Sequence, residues 1–319
     1  MLGRASATKL ASITMRGDLL VRCYASATKL PSITATQRTS LLVAAWRDAE
    51  MRLNARPLCH DPYASVLLQA FATPDELAAW ESHPLGLNGG VDILATRTRL
   101  MDSWLERPTW PPVRTTRRQT VLLGAGMDAR PYRMGFSRYV HTIFEVDADV
   151  AVLEAKHAAL EAAGYEPRCT VKLVGADVSD TRAVEAGLEA AGFDPRLPTR
   201  WLAEGLLEYL PPTSHPALFE MCHRLGGAAG SGIAAQALEP PFGDHVRKVL
   251  RGDGSSSDAP AALPYEKLVP IDETLAQLRD AGWRSVRGMR SDDITEATGR
   301  SVPEGYNLVF AEADPLTAE

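Results

Sequence analysis

The stretch from Thr120 to Asp147, TVLLGAGMDARPYRMGFSRYVHTIFEVD, constrains this chain more than any other. Val121-Leu122-Leu123 is a short apolar run, as expected of a strand covered on both faces of a parallel sheet. Gly124-Ala125-Gly126 breaks the run. Gly124 suits a tight turn, and Gly126 lets a ligand approach the backbone with no Cβ in the way. A second apolar run, Val140 to Phe144, ends in Glu145-Val146-Asp147. Acids at the tip of a second strand accept hydrogen bonds from the two hydroxyls of a ribose. Strand, glycine turn, helix, strand and acid together describe a nucleoside-binding half-fold. The glycines alone are weak evidence, because G-x-G is common. The acid about 20 residues downstream supplies the specificity.

Beyond this stretch strand and helix patterns alternate, which predicts an α/β fold with a mostly parallel sheet. Ala148 to Ala163 reads as a helix. Cys169 to Val174 reads as a strand ending at Gly175-Ala176-Asp177-Val178. Asp180 to Ala191 is helical, and the strand Arg200 to Ala203 ends at Glu204-Gly205. A helix is expected from Pro211-Pro212 to about Leu225, then a strand over Gly232 to Leu238. Residues Glu239 to Glu266, rich in Gly, Ser, Asp and Pro, read as a loop insertion or partial lid. A helix over Ile271 to Ala281 and strands over Gly282 to Arg287 and Tyr306 to Ala313 complete the pattern.

Upstream, Thr39 to Glu106 reads as helical, with Leu41, Leu42, Ala45, Trp46, Ala49 and Leu53 at helical spacing. Asp61-Pro62 and Thr73-Pro74 each pair an N-cap with a proline at the first helical position. A third helix, Asp92 to Leu105, carries Arg97, Arg99 and Asp102. Glu106 to Arg118 is a proline-containing linker. Residues 1–35 differ from the rest. Ala5 to Thr14 recurs as Ala25 to Thr34, with only Ala11 replaced by Pro31. A disordered extension is expected there, with an organelle transit peptide as the alternative. The expected organisation is therefore an extension at 1–35, a helical cap region at 36–118, and a Rossmann-like domain at 119–319 with its insertion at 239–266.

Composition matters here for what it excludes. The net charge of −6 offers no basic footprint for nucleic acid. The four cysteines, Cys23, Cys59, Cys169 and Cys222, show no metal-ligand spacing, and fit reduced thiols in a cytoplasmic setting. No apolar run approaches the roughly 18 residues that span a bilayer. Gly230-Ser231-Gly232 lacks the G-x-S-x-G nucleophile elbow.

Acids close three successive strands: Asp147, Asp177 and Glu204. Ligands of open α/β sheets bind beyond the carboxyl ends of the strands. Glu145 or Asp147 could hold ribose hydroxyls, Asp177 an exocyclic amine of adenine, and Glu204 a cationic ammonium. Taken singly, each reads as a solvated turn residue or helix cap. Their placement together beside a glycine turn favours a site. Asp128 also reads as a helix cap, with Arg130 and Arg133 as surface ion-pair partners.

Gly124-Ala125-Gly126-Met127-Asp128-Ala129-Arg130-Pro131-Tyr132-Arg133, Glu145-Val146-Asp147 and Ala203-Glu204-Gly205-Leu206-Leu207-Glu208-Tyr209-Leu210 resemble the leucine carboxyl methyltransferase family, especially its bacterial S-adenosylmethionine-dependent branch. Asp61-Pro62-Tyr63-Ala64 and Arg97-x-Arg99-x-x-x-Asp102 resemble its helical N-terminal region. The similarity covers about residues 35–313. It implies a class I methyltransferase sheet of seven strands with helical N-terminal additions, and S-adenosylmethionine as cofactor. By position, Arg99 would bind the methionine carboxylate and Gly124 would lie against the cofactor. Asp147 would hold the ribose, Asp177 with Val178 the adenine, and Glu204 the methionyl amine. The chain has Asp177-Val178 where members often have Asp-Leu, and Asp147-Ala148-Asp149 where they commonly carry a proline. Thr36 and Arg38 are candidates for the family's early cofactor contact.

The expected reaction is methyl transfer to an oxygen of a small molecule, first a carboxylate and second a phenol or hydroxyl. A carboxylate is already ionised at pH 7 and needs no base, and the motifs place no His–acid pair to act as one. Arg97, Arg130 or Tyr209 could orient such an anion. The rivals are an NAD-dependent oxidoreductase, because Gly124-x-Gly126-x-x-Ala129 satisfies the dinucleotide pattern, and a cofactor-binding protein without turnover. No Tyr-x-x-x-Lys pair supports the oxidoreductase.

Overall fold

The computed structural model describes residues 35–107, 117–137, 139–226, 230–251 and 268–313. The duplicated N-terminal segment, most of the proline-containing linker and the second half of the expected insertion lie outside these residues. Seven strands form one sheet: β1 (Arg118–Leu123), β2 (His141–Asp147), β3 (Thr170–Gly175), β4 (Thr199–Ala203), β5 (Gly232–Leu238), β6 (Arg287–Met289) and β7 (Tyr306–Glu312). Their order across the sheet is β3-β2-β1-β4-β5-β7-β6. All neighbours pair in parallel except β7, which runs antiparallel to both β5 and β6.

The helices are α1 (Ala35–Leu53), α2 (Tyr63–Phe71), α3 (Pro74–Glu81), α4 (Val91–Leu105), α5 (Arg130–Arg133), α6 (Val150–Ala162), α7 (Thr181–Ala190), α8 (His215–Gly226), α9 (Pro240–Arg251), α10 (Ile271–Asp280) and α11 (Ser291–Thr298). Successive strand residues point to opposite faces, and this divides the core in two. Val121, Leu123, Trp201, Ala203, Val309 and Ala311 meet α7, α8 and α10 on one face. Leu122, Leu202, Ala234, Leu308 and Phe310 meet Trp46 of α1, Met101 and Trp104 of α4, and Leu153 of α6 on the other. The N-terminal helices therefore share the core of the sheet. Among the described residues no helix is long and apolar enough to cross a membrane.

Local signals mostly act as the sequence indicates. Thr73 caps α3 in a reciprocal capping box with Glu76. Asp149 and Asp180 cap α6 and α7 by accepting backbone N–H groups. Four expectations change. Helix α2 begins at Tyr63, so Pro62 takes the N-cap and Asp61 stands one residue before it, its Oδ1 accepting from the Tyr63 N–H at 3.3 Å. Pro240–Arg251, the first half of the expected loop insertion, is helix α9. Its two prolines occupy the first turn, where a missing N–H is harmless, and Phe242 and Val246 bury one face. The penultimate strand forms at Arg287–Met289 instead of Gly282–Arg287. Trp283 in that interval is drawn into the core, where its indole N–H donates to Phe219 O at 3.1 Å. Helix α11 is additional, and Ile294 is its buried anchor.

Candidate active site

The strand order reverses between β1 and β4, and at that point one cavity of about 730 Å³ opens along the carboxyl edge of the sheet. That volume lies within the ordinary range of ligand pockets. Its floor runs from Asp177 and Val178 after β3, through Asp147 after β2 and Gly124 to Asp128 after β1. It continues through Glu204 to Leu210 after β4, to Gln236 on β5 and Tyr306 at the start of β7. Helices α1, α4 and α9 cover it with Val43, Trp46, Ile93, Phe242 and Val246.

The glycine turn is sterically determined. Gly124 has φ +66° and Gly126 φ +42°, a region that side chains disfavour. A Cβ on Gly126 would stand 3.0 Å from Ser40 Cβ, and one on Gly124 3.1 Å from Leu206 Cδ1. Gly126 N–H donates to Asp147 Oδ2 at 2.9 Å, and Asp149 N–H donates to Oδ1 at 3.3 Å. Each carboxylate oxygen retains accepting capacity for a sugar hydroxyl. Asp177 stands at the exposed rim, where Oδ1 accepts from the Ser179 N–H at 2.8 Å and hydroxyl at 2.7 Å. Val178 is buried behind it.

Glu204 lies at the centre of a buried ionic cluster. Arg47 donates to Oε1 at 3.1 Å, Arg97 to Oε1 at 2.9 Å and Arg130 to Oε2 at 2.5 Å. Arg130 also binds Asp128 and, at 2.8 Å, Asp102. Arg133 binds Asp102 as well. Burial alone would raise the Glu204 carboxyl. The guanidiniums of Arg130, Arg97 and Arg47 outweigh it and hold the group well below the carboxylate range. Arg130 and Arg133 are therefore not surface residues: Arg130 is 0% exposed, and both join the motif loop to α4.

Two residues expected in the site stand away from it. Glu145 is fully buried two positions short of the β2 tip. Its carboxylate accepts from Lys156 Nζ at 2.8 Å and pairs with His157 Nε2 at 2.7 Å. It faces α6, not the cavity. Lys156 also donates to the Asp128 carbonyl at 2.9 Å, so this cluster braces the glycine-turn loop from beneath. Arg99 is exposed on the outer face of α4 and does not line the cavity, whereas Arg97, half a turn earlier, does. Arg97 donates to Glu204 and to Gln236 Oε1. Tyr209 lines the cavity, with its hydroxyl against the Thr39 side chain, and burial pushes its phenol upward. Arg38 lines the rim and pairs with Glu76. The side chain of Thr36 is outside the described residues.

Sequence reasoning passed over Arg47, Gln236 and Glu208. Glu208 lies four residues past Glu204, in the short 3-10 turn Leu207–Tyr209. Its Oε1 accepts from Gln236 Nε2 at 3.1 Å, while Oε2 is shielded from solvent and, among the described residues, accepts from no other residue. Burial pushes its carboxyl up to about 6, against the opposing pull of its own backbone N–H and of Arg97.

This sheet order, the antiparallel β7 inserted beside β5, and a glycine turn backed by strand-end acids define a class I methyltransferase. Residues 40–223 match the leucine carboxyl methyltransferase family, and the chain belongs to it. Two relatives are named as S-adenosyl-L-methionine-dependent methyltransferases. The Mycobacterium avium (strain 104) protein is 31% identical over 83% of this chain and 88% of its own length. One from Mycolicibacterium paratuberculosis (strain ATCC BAA-968 / K-10) is 35% identical over 83% and 85%. A solved DUF574 family protein from Streptomyces avermitilis MA-4680 shares the fold with a TM-score of 0.54. It does so at 14% identity, over 78% of this chain and 95% of that one. The chain is thus an S-adenosylmethionine-dependent methyltransferase.

Proposed function

We propose that the chain methylates an oxygen atom of a small, mostly apolar molecule. In this reading the cofactor lies over β3, β2, β1 and β4, and the acceptor lies over β5 and β7. The observation that carries it is one cavity that runs from Asp177 to Tyr306 along the carboxyl edge. The residues present suit the cofactor. The Gly126 cradle is one that a Cβ would fill, and the acids match its ribose, amine and ammonium. Bound S-adenosylmethionine supplies a methyl activated by a sulfonium.

The chain's own residues do the rest. Asp147 receives the ribose hydroxyls and Asp177 with Val178 receives the adenine. Glu204 turns its carboxylate toward the methionyl ammonium, held in place by Arg47, Arg97 and Arg130. Arg97, which lines the cavity between Glu204 and Gln236, would hold the methionine carboxylate in place of Arg99, which does not line it. Positioning in a covered site supplies much of the acceleration of an in-line displacement, and α1, α4 and α9 exclude water from it. A cytoplasmic location belongs to the same proposal.

The test is calorimetry with S-adenosylmethionine and NAD, followed by a screen of small phenols, alcohols and carboxylates for S-adenosylhomocysteine release. Binding of the former and oxygen-methylated product are expected. Tight NAD binding, or product methylated only on nitrogen or carbon, would refute the reading.

A further inference from the structure

We propose that Glu208 is the general base of this enzyme and that its acceptor is a phenolic hydroxyl, not a carboxylate. The proposal deepens the oxygen-methylation reading above and rests on it.

Two carboxylates four positions apart after β4 have opposite surroundings. Glu204 is contacted by three guanidiniums. Among the described residues no guanidinium contacts Glu208, and its Oε1 accepts from the neutral amide of Gln236. Arg97, the cation that acts on Glu208, is already committed to Glu204 and Gln236. A shielded carboxylate whose donors are one neutral amide and its own backbone N–H is under-satisfied, which costs folding free energy. Such a group is best explained by a partner that arrives with the ligand. Paired titratable groups driven apart by their environments mark acid–base assignments.

Position supports the same role. Glu208 follows β4, where the cofactor half of the cavity meets the half formed by Gln236 on β5 and Tyr306 on β7. The charged and titratable groups around it are Arg97 from α4, Tyr306 from β7, and Glu204 and Tyr209 from the stretch after β4. His245 and Arg247 line the α9 wall. Burial leaves the carboxyl titrating at about 6, suited to accepting a proton near neutral pH. An ionised acceptor carboxylate beside an ionised Glu208 would instead place like charges together in a poorly solvated site.

The step balances. The Glu208 carboxylate takes the phenol proton as a lone pair of the phenol oxygen forms the new C–O bond. The C–S bond breaks and its electron pair stays on sulfur, giving an aryl methyl ether, a neutral thioether and a protonated Glu208.

The first test needs no acceptor. Glutamate carboxyl carbons of the full chain, labelled with ¹³C, are titrated by NMR, and Glu208 is assigned with Glu208→Gln. A midpoint near 6 is expected. A midpoint of about 4.3, the ordinary glutamate value, would overturn the proposal.

The second test compares 4-propylphenol and 4-propylbenzoate as matched probes. The phenol should give the ether, with kcat rising through about pH 6 to a plateau. In Glu208→Gln, kcat should fall by about 10²- to 10⁴-fold, while KM and the cofactor Kd stay within about 3-fold. Glu208→Asp should recover part of the rate. Unchanged kcat in Glu208→Gln, or a methyl ester formed from the benzoate at a pH-independent rate, overturns the proposal. Either of those results with intact cofactor binding leaves oxygen methylation standing. Failure of the wild-type chain to bind S-adenosylmethionine would sink the underlying reading as well.

Discussion

The backbone N–H of Gly126 donates to Asp147 Oδ2 at 2.9 Å, which joins the turn after β1 to the tip of β2. The acid proposed for the ribose thus also fixes the shape of the turn against which the cofactor lies. Asp147→Ala should weaken S-adenosylmethionine binding by about 1.5–3 kcal/mol, roughly ten- to a hundredfold in Kd. Asp147→Asn, which keeps an acceptor for the Gly126 N–H, should lose less. Calorimetry on both variants checks this, and an unchanged Kd in folded Asp147→Ala would remove the carboxylate from the site.

Gly126→Val tests the turn itself. The left-handed φ costs a side chain about 1–2 kcal/mol, and the new Cβ would press on Ser40. Thermal unfolding should move down by several degrees and cofactor binding should be lost, with Gly126→Ala milder on both counts. A Val variant with wild-type Tm and affinity would mean that the loop takes another course.

Glu204 links stability to pH. Its carboxyl is held below its unfolded value, so its contribution is full above about pH 4.3. It is lost as pH falls through the folded value. Glu204→Gln leaves three guanidiniums around a neutral amide, and should destabilise the fold by about 3–5 kcal/mol at pH 7. Urea unfolding from pH 7 to 3 should show the wild type losing its advantage below about pH 4. Parallel curves for the two proteins would show that the cluster does not depend on this charge.

The sheet was legible because strands covered on both faces read as continuous apolar runs, as Val121 to Leu123 and Gly232 to Leu238 do. The acids at strand tips were legible because the carboxyl edge of such a sheet is where ligands bind. Helix α9 was hidden by its glycine, prolines and charges, although Phe242 and Val246 stand at helical spacing. The ionic cluster was not legible at all. Arg130 meets Glu204 across 74 positions of sequence, and Asp102 across 28. Charge alone made Arg130 and Arg133 look like surface residues. Glu145 was misplaced because strand position, not residue type, decides which acid reaches the edge.

Glu145 should therefore prove structural. Glu145→Ala removes the partner of a Lys156 that is 0% exposed, and should destabilise the protein by about 3–5 kcal/mol. Cofactor affinity of the folded fraction should stay close to wild type. Lys156→Met should be milder, because His157 can still pair with Glu145. Denaturant titration alongside calorimetry separates the two effects. A stable Glu145→Ala protein with much weaker binding would return Glu145 to the ribose.

Arg97 and Arg99 give the sharpest contrast between resemblance and geometry. The family pattern assigns the methionine carboxylate to Arg99, yet helical spacing places Arg97 on the buried stripe with Ile93, Leu94, Met101 and Trp104. Two residues further on, a side chain points about 200° away around the helix, and Arg99 is exposed. Arg99→Ala should change stability by no more than about 0.5 kcal/mol, as surface substitutions do, and leave the cofactor Kd unaltered. Arg97→Ala should weaken cofactor binding strongly and destabilise the fold by about 3–5 kcal/mol, because Glu204 and Gln236 lose a buried partner. Arg97→Lys keeps the charge but not the fork that reaches both acceptors, so it should recover stability only in part. The decisive comparison is the cofactor Kd of Arg99→Ala against wild type. A rise of about tenfold or more, 1.4 kcal/mol in binding, would mean that Arg99 reaches the cofactor and that α4 turns when it binds.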